Sequence, residues 1–379
     1  MSMYSYDKSI SILTSVVLIS AIVLTSVNSV AWAEPILIAS TRNHFDRFAN
    51  PVPNSPPYEP FPFDFQRMGC SQEQEVVIYV HGVWTTKDKT DEVAKQMFEN
   101  VPEIVDRVRL SLESLAYRFP IIGFSWDSDT KISSSGWHYA KIIAKENGPK
   151  LAQFILDLKE SCPQIGIRLI AHSLGAMVVL STLDILHSNQ IWNDNNFAIA
   201  SVHLMGAAVD NEEISRNPSD TGDSPNDDAI VYGQAIEEEV AHFYNLYNPE
   251  DDALEPGYFN SWYFDCYFNY SEYQPIYYPC FEQDFALGQG GMQTTISDVD
   301  IPQNYVDIPV GQEILNIIDA DADGACDLSY RNFWLPYGWV CTITQMGDNH
   351  LGYIGFRSIE SLGDYGAMDI VLDTIRTIS

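Results

Sequence analysis

Residues 167–186 read Ile167-Arg168-Leu169-Ile170-Ala171-His172-Ser173-Leu174-Gly175-Ala176-Met177-Val178-Val179-Leu180-Ser181-Thr182-Leu183-Asp184-Ile185-Leu186. A short apolar run passes without a break into a turn with Ser173 at its apex, and then into an apolar run long enough for a helix. A strand-to-helix turn of this kind is so tight that the positions two before and two after the serine tolerate almost no side chain. Here those positions are Ala171 and Gly175, the alanine making the turn slightly more crowded than glycine would. The geometry predicts a serine hydroxyl standing above the sheet. Behind it, the free N–H groups and the positive dipole end of the following helix favour negative charge on a substrate oxygen.

A serine nucleophile needs a base, and the base needs an acid to orient it. A second stretch bears on this, the apolar strand Val76–Val80 running into His81-Gly82-Val83-Trp84. Together the two stretches resemble the α/β-hydrolase family of serine esterases and lipases, whose chain order is Ser, then Asp or Glu, then His. Of the eight histidines, His44, His81, His138, His172, His187, His203 and His242 precede any suitable acid or lie in predicted strands and helices. The resemblance therefore implies His350, in the polar, glycine-bounded loop Met346–Tyr353, as the base. The acid is expected in the turn after the strand Val240–Tyr247, where Asp251 matches best and Asp252 is the fallback. Asp210, closing the strand Ala198–Met205, remains a third candidate. The backbone N–H groups of Val83 and Leu174 would form the oxyanion hole, with His81 orienting its turn. Ile121–Ser128, a strand ending in polar residues, also agrees with the family.

The period of the apolar residues gives the organisation. Strands are expected near 35–41, 76–80, 120–126, 166–171, 197–206 and 240–247, with helices over about 88–117, 137–160 and after Gly175. Alternation of strands and helices means an α/β fold with a doubly wound, mostly parallel sheet. The expected division is a signal segment 1–33, a hydrolase core 34–254, a cysteine- and aromatic-rich insertion 255–345 before the histidine, and the C-terminal part of the core, 346–379. An insertion between two triad members must have both ends near the site, as a lid or substrate wall would.

The N-terminus carries Lys8, an apolar run from Ile10 to Val27, and Ala31-Trp32-Ala33. That is the pattern of an export signal with a cleavage site, and an uncleaved membrane anchor is the competing reading. Six cysteines, Cys70, Cys162, Cys266, Cys280, Cys326 and Cys341, all follow it. An even count in an exported chain favours disulfides. Six cysteines allow 15 pairings; spacing favours Cys266 with Cys280 and Cys326 with Cys341, and a pairing of Cys70 with Cys162 would tie two strand entrances together.

Acidic side chains number 52 against 20 basic ones, a net charge of −32. Nucleic acid is excluded as a partner, because binding it needs a cationic face. No Lys or Arg occurs between Arg216 and Arg331. Within that stretch Asp319, Asp321, Asp323 and Asp327, with Gly324 between them, resemble the first positions of an EF-hand-type loop. Tyr330 stands where the bidentate Glu would close it, so a weak structural Ca²⁺ is the expectation, and no cofactor is expected for catalysis. The sequence thus predicts an exported serine hydrolase that cleaves small-molecule or lipid carboxylic esters through an acyl-enzyme on Ser173. Amide hydrolysis or acyl transfer would use the same residues. A non-catalytic binding module on the same scaffold is the reading from a different class.

Overall fold

A computed structural model describes residues 36–59, 75–86, 99–131, 134–220, 230–249, 251, 253–254, 286–292, 299–310, 350, 352–354 and 366–377. The expected signal segment, Cys70, the aromatic-rich stretch after Leu254, Asp252 and the aspartates of the expected calcium loop lie outside these residues. So do the remaining cysteines except Cys162, which is disulfide-bonded.

Seven strands form one sheet: β1 (Leu37–Ser40), β2 (Glu75–Val80), β5 (Ile121–Ser125), β6 (Gly166–His172), β7 (Ser201–Met205), β8 (Phe243–Tyr247) and β9 (Tyr305–Pro309). Their order across the sheet is β1-β5-β2-β6-β7-β8-β9 and every pairing is parallel. A separate short parallel pair, β3 (Thr85–Thr86) with β4 (Glu99–Asn100), follows the end of β2.

Parallel strands need crossovers, and these place helices on both faces. The long helices are α1 (Val101–Ser114), α2 (Ser134–Ser161), α3 (Gly175–His187) and α7 (Met368–Thr377). Shorter turns of helix are α4 (Gln190–Asp194), α5 (Gly233–Glu239) and α6 (Leu287–Gly290). Val76, Ile78 and Val80 of β2 face one core with Ile143, Leu151, Val178 and Leu183 of α2 and α3. Val77 and Tyr79 face the other, with Val105, Val108 and Leu112 of α1 and Val371 and Leu372 of α7. The period-two alternation within a fully buried strand is what divides its side chains between two helical layers.

Of the helix expected over about 88–117, residues 87–98 lie outside the described residues, and the described helix α1 begins at Val101. Asn100 sets that boundary, its side chain accepting the Glu103 N–H at 3.1 Å, and Pro102 suits the first turn. Within α2, Pro149 lacks the N–H that would reach the Lys145 carbonyl. The Ser181 hydroxyl of α3 donates to that carbonyl at 2.8 Å instead. Gly148 makes this approach possible, since a Cβ there would stand 2.2 Å from Ser181 Oγ.

The strand β9 was not expected, because it lies inside the stretch 255–345 read as an insertion. Its sequence, Tyr-Val-Asp-Ile-Pro, carries a carboxylate at its centre and a proline at its end. Both are features of an edge strand rather than of a buried one. Asp307 is held there by the Asn245 Nδ2 at 2.8 Å and the Met292 N–H at 2.7 Å.

Candidate active site

Ser173 follows β6 and has φ of +53°, a left-handed conformation for a residue with a Cβ. Two flanking glycines explain how the turn accommodates it. A Cβ on Gly175 would stand 2.5 Å from the Val80 carbonyl oxygen, and one on Gly82 would stand 2.8 Å from Cβ of Ser173 itself. The strained turn is fixed from outside: the Ser173 N–H donates to Met205 O at 3.0 Å, and its carbonyl accepts the Ala208 N–H at 3.2 Å. Ser173 is 4 % exposed, and its hydroxyl makes no hydrogen bond to any described residue. Catalytic hydrogen bonds often tighten only when substrate is bound.

His350 meets the acid expected of it. Its Nδ1 lies 2.8 Å from Oδ2 of Asp251, whose side chain is fully buried. A carboxylate can only accept, so Nδ1 carries the hydrogen and Nε2 is left with a lone pair for a proton. Oδ1 of Asp251 accepts the Ala253 N–H at 3.2 Å. Asp210 instead precedes a turn of 3₁₀ helix at Asn211–Ile214 and bridges to Ala286.

Two residues that the sequence reading passed over shape the same corner. Gly206, directly after β7, has φ of +53°. A Cβ on it would come within 3.2 Å of both Asp251 Oδ2 and His350 Nδ1 and 2.8 Å of the Tyr353 ring. Burial, and then the adjacent Asp251 carboxylate, hold the Tyr353 phenol well above its ordinary pKa, so it remains a hydroxyl donor beside the acid. A glycine ending a strand was a visible signal for the first; nothing in the sequence marked the second.

The turn after β2 holds the other expected oxyanion donor, Val83. Trp84 next to it has φ of +56°, an outlier for a bulky residue, and its N–H donates to Ser128 O at 2.8 Å. His81 lies fully buried, its ring stacked on Trp126 at 5.6 Å. Its Nδ1 is 2.8 Å from Gly82 O and its Nε2 accepts the Trp126 N–H at 3.2 Å. Burial, and then the Arg42 charge, push its pKa well below the ordinary value and favour the neutral ring.

Arg42 just after β1 ties the arrangement together. Its guanidinium donates to Thr85 O at 2.7 Å, Ser125 Oγ at 2.9 Å and Asp129 Oδ1 at 2.9 Å. Asp127 in turn accepts the backbone N–H groups of Asn43, His44 and Phe45 at 2.7, 2.9 and 2.9 Å. The polar end of Ile121–Ser128 is thus the clamp that holds the turn after β2. The N–H of Leu174, at the start of α3, makes no hydrogen bond to a described residue.

A strained serine after β6, a buried carboxylate after β8 paired with an imidazole from beyond β9, and a clamped glycine turn after β2 meet at the carboxyl ends of parallel strands, where ligands bind in such sheets. Residues 64–256 match the model of the family described as "Alpha/beta hydrolase of unknown function (DUF900)". No curated protein matches the chain. Among solved structures it is similar to a Trichoderma reesei cutinase in complex with a phosphonate inhibitor, at 14 % identity over 46 % of this chain and 66 % of the other, with a TM-score of 0.25. A lipase B from Aspergillus fumigatus is 11 % identical over 50 % of this chain and 39 % of its own, with a TM-score of 0.29. A cutinase-like protein from Cryptococcus sp. is 12 % identical over 77 % and 96 %, with a TM-score of 0.26. The chain therefore spans just under two thirds of the cutinase and well under half of the lipase.

Proposed function

The chain belongs to this α/β-hydrolase family, and from that premise we propose that it hydrolyses carboxylic esters through an acyl-enzyme on Ser173. The observation that carries the reading is the 2.8 Å contact between His350 Nδ1 and Asp251 Oδ2, which leaves the other ring nitrogen of His350 basic. In this reading His350 Nε2 takes the Ser173 proton as Oγ attacks the ester carbonyl. The carbonyl oxygen becomes an oxyanion held by the N–H groups of Leu174 and Val83. His350 then passes the proton to the departing alcohol. Water, deprotonated by the same nitrogen, releases the acid from Ser173.

The proposal extends to an exported protein, with residues 1–33 as its signal or anchor and the stretch after Leu254 as the wall that selects the acyl group. A small-molecule or lipid ester, rather than nucleic acid, fits the net charge of −32. Fluorophosphonate labelling of the mature protein tests it, paired with hydrolysis of p-nitrophenyl esters of several chain lengths and of the matching anilides. Label on Ser173 that disappears in Ser173→Ala, with esters cleaved faster than anilides, is the expected result. Label that persists in Ser173→Ala would overturn the assignment, and anilides cleaved faster would make the enzyme an amidase.

A further inference from the structure

We propose that His172, the residue before the nucleophile, is a positioning residue that holds the base by donating a hydrogen bond from its side chain to the backbone of His350. The inference rests on the acyl-hydrolase reading above and adds to it the means by which nucleophile and base are kept in register.

The Nε2 atom of His172 lies 2.6 Å from the carbonyl oxygen of His350, and the two rings are 4.7 Å apart between centroids. A carbonyl oxygen accepts only, so Nε2 carries the hydrogen. The ring is buried at the last position of β6, which pairs with Met205 of β7. On its other side a Cβ at Gly82 would stand 3.3 Å from its Nδ1, and the Tyr353 ring is 6.1 Å away. His172 is therefore wedged between the turn after β2 and the segment that bears the base.

His350 and Ser173 are far apart in the chain, and a loop alone would leave their separation to thermal motion. The bond from His172 ties the backbone of one to the residue next to the other. His350 is then fixed at two points, its side chain at Nδ1 by Asp251 and its backbone carbonyl by His172. Chemistry requires the tie to be neutral, because His350 becomes a cation in each proton transfer and a second cation 4.7 Å away would oppose it. Burial, followed by the proximity of His350, lowers the His172 pKa from 6.5 to about 3, in keeping with a permanently neutral donor. The resemblance to the hydrolases leaves His172 outside the triad, and the contact with His350 suggests this other task.

The test uses the mature protein with a short p-nitrophenyl ester. His172→Phe keeps a flat ring and deletes the donor; His172→Gln keeps an N–H at the end of a side chain of similar reach. Displacing a catalytic group by about 1 Å can cost about 10²-fold. His172→Phe is expected to lower kcat by about that factor with KM nearly unchanged, and His172→Gln to recover most of the loss. Wild-type kcat in a folded His172→Phe, or a His172→Gln no better than His172→Phe, would overturn the proposal. Should His172→Phe not fold, ¹⁵N shifts of the histidines in the wild-type protein decide. Hydrogen on Nε2 of a neutral His172 is expected, and hydrogen on Nδ1 or a charged ring at neutral pH overturns it. A wild-type protein that neither labels nor cleaves any ester would instead refute the acyl-hydrolase reading itself.

Discussion

His350 Nδ1 stands 2.8 Å from Oδ2 of Asp251, a carboxylate with no solvent exposure, although 99 residues separate the two in the chain. Asp251→Asn keeps the shape but offers an amide where the imidazole N–H needs an acceptor. The ring then turns or changes tautomer, and kcat should fall by about 10⁴-fold. Asp210→Asn and Asp252→Asn should each stay within a few-fold of wild type. A large loss in either of these, with Asp251→Asn active, would move the acid.

Gly206 has no room for a methyl group, because φ is +53° and Asp251, His350 and Tyr353 close in on it. Gly206→Ala should destabilise the fold by about 1 kcal/mol or more in urea melts. It should also lower kcat by about 10²-fold through displacement of the acid–base pair. Full activity in a folded Gly206→Ala would show that the pair tolerates the shift.

Arg42 serves Thr85 O, Ser125 Oγ and Asp129 at once, an arrangement that uses the planar fork of a guanidinium. Arg42→Met leaves the buried Ser125 Oγ without its donor, at about 1–3 kcal/mol, whereas Thr85 O keeps the Ser128 hydroxyl at 2.8 Å and Asp129 is half exposed. The turn carrying Val83 should loosen, with kcat reduced by up to about 10²-fold, the cost of losing one oxyanion donor. Arg42→Lys should recover little. Recovery by lysine would mean that charge, not the fork, is what the turn needs.

Acid should destabilise the protein well before its carboxylates titrate. His172 and His203 are buried with pKa values lowered from 6.5 to about 3 by burial, and His81 is lowered well below 6.5 by the same cause. Between pH 6.5 and about 3 the unfolded chain binds protons that the folded one refuses. Stability is therefore complete above pH 6.5 and falls as pH drops through that window, by up to about 1.4 kcal/mol per pH unit for each histidine. Urea midpoints measured from pH 7 to pH 5 check this. His203→Phe should reduce the slope by about one proton, and an unaltered slope would remove His203 from the account.

Calcium should raise the melting temperature through Asp319, Asp321, Asp323 and Asp327, by about 2.7 kcal/mol of stability at a hundredfold excess over Kd. Asp321→Ala should erase the difference between chelator and calcium. An unchanged melting temperature in several millimolar calcium would reduce the loop to an acidic turn.

The sheet was legible because buried parallel strands read as unbroken apolar runs, and because the turn at Ser173 needs small neighbours that leave a visible mark. The strand β9 was not, since an edge strand tolerates Asp307 and Pro309, which argue against a strand when read alone. The partnership of His350 with Asp251 could be inferred only from chain order. Arg42 and Tyr353 were invisible because their significance comes from contacts across the fold, Arg42 with Thr85 and Ser125, Tyr353 with Asp251. His172 was visible, but elimination asked only whether it was a base.

The chain leaves the acid turn at Leu254 and is back on the sheet at α6, where Gly288 O accepts the Asn248 N–H at 2.9 Å and the Gly288 N–H donates to Ala207 O at 2.9 Å. That neck closes the excursion over residues 255–285 at its base. Doubling the length of a closed loop costs only about 0.6 kcal/mol. The excursion is in effect an exchangeable cassette. Its length can change at small cost to the fold, because the neck that closes it is stitched independently of what lies between.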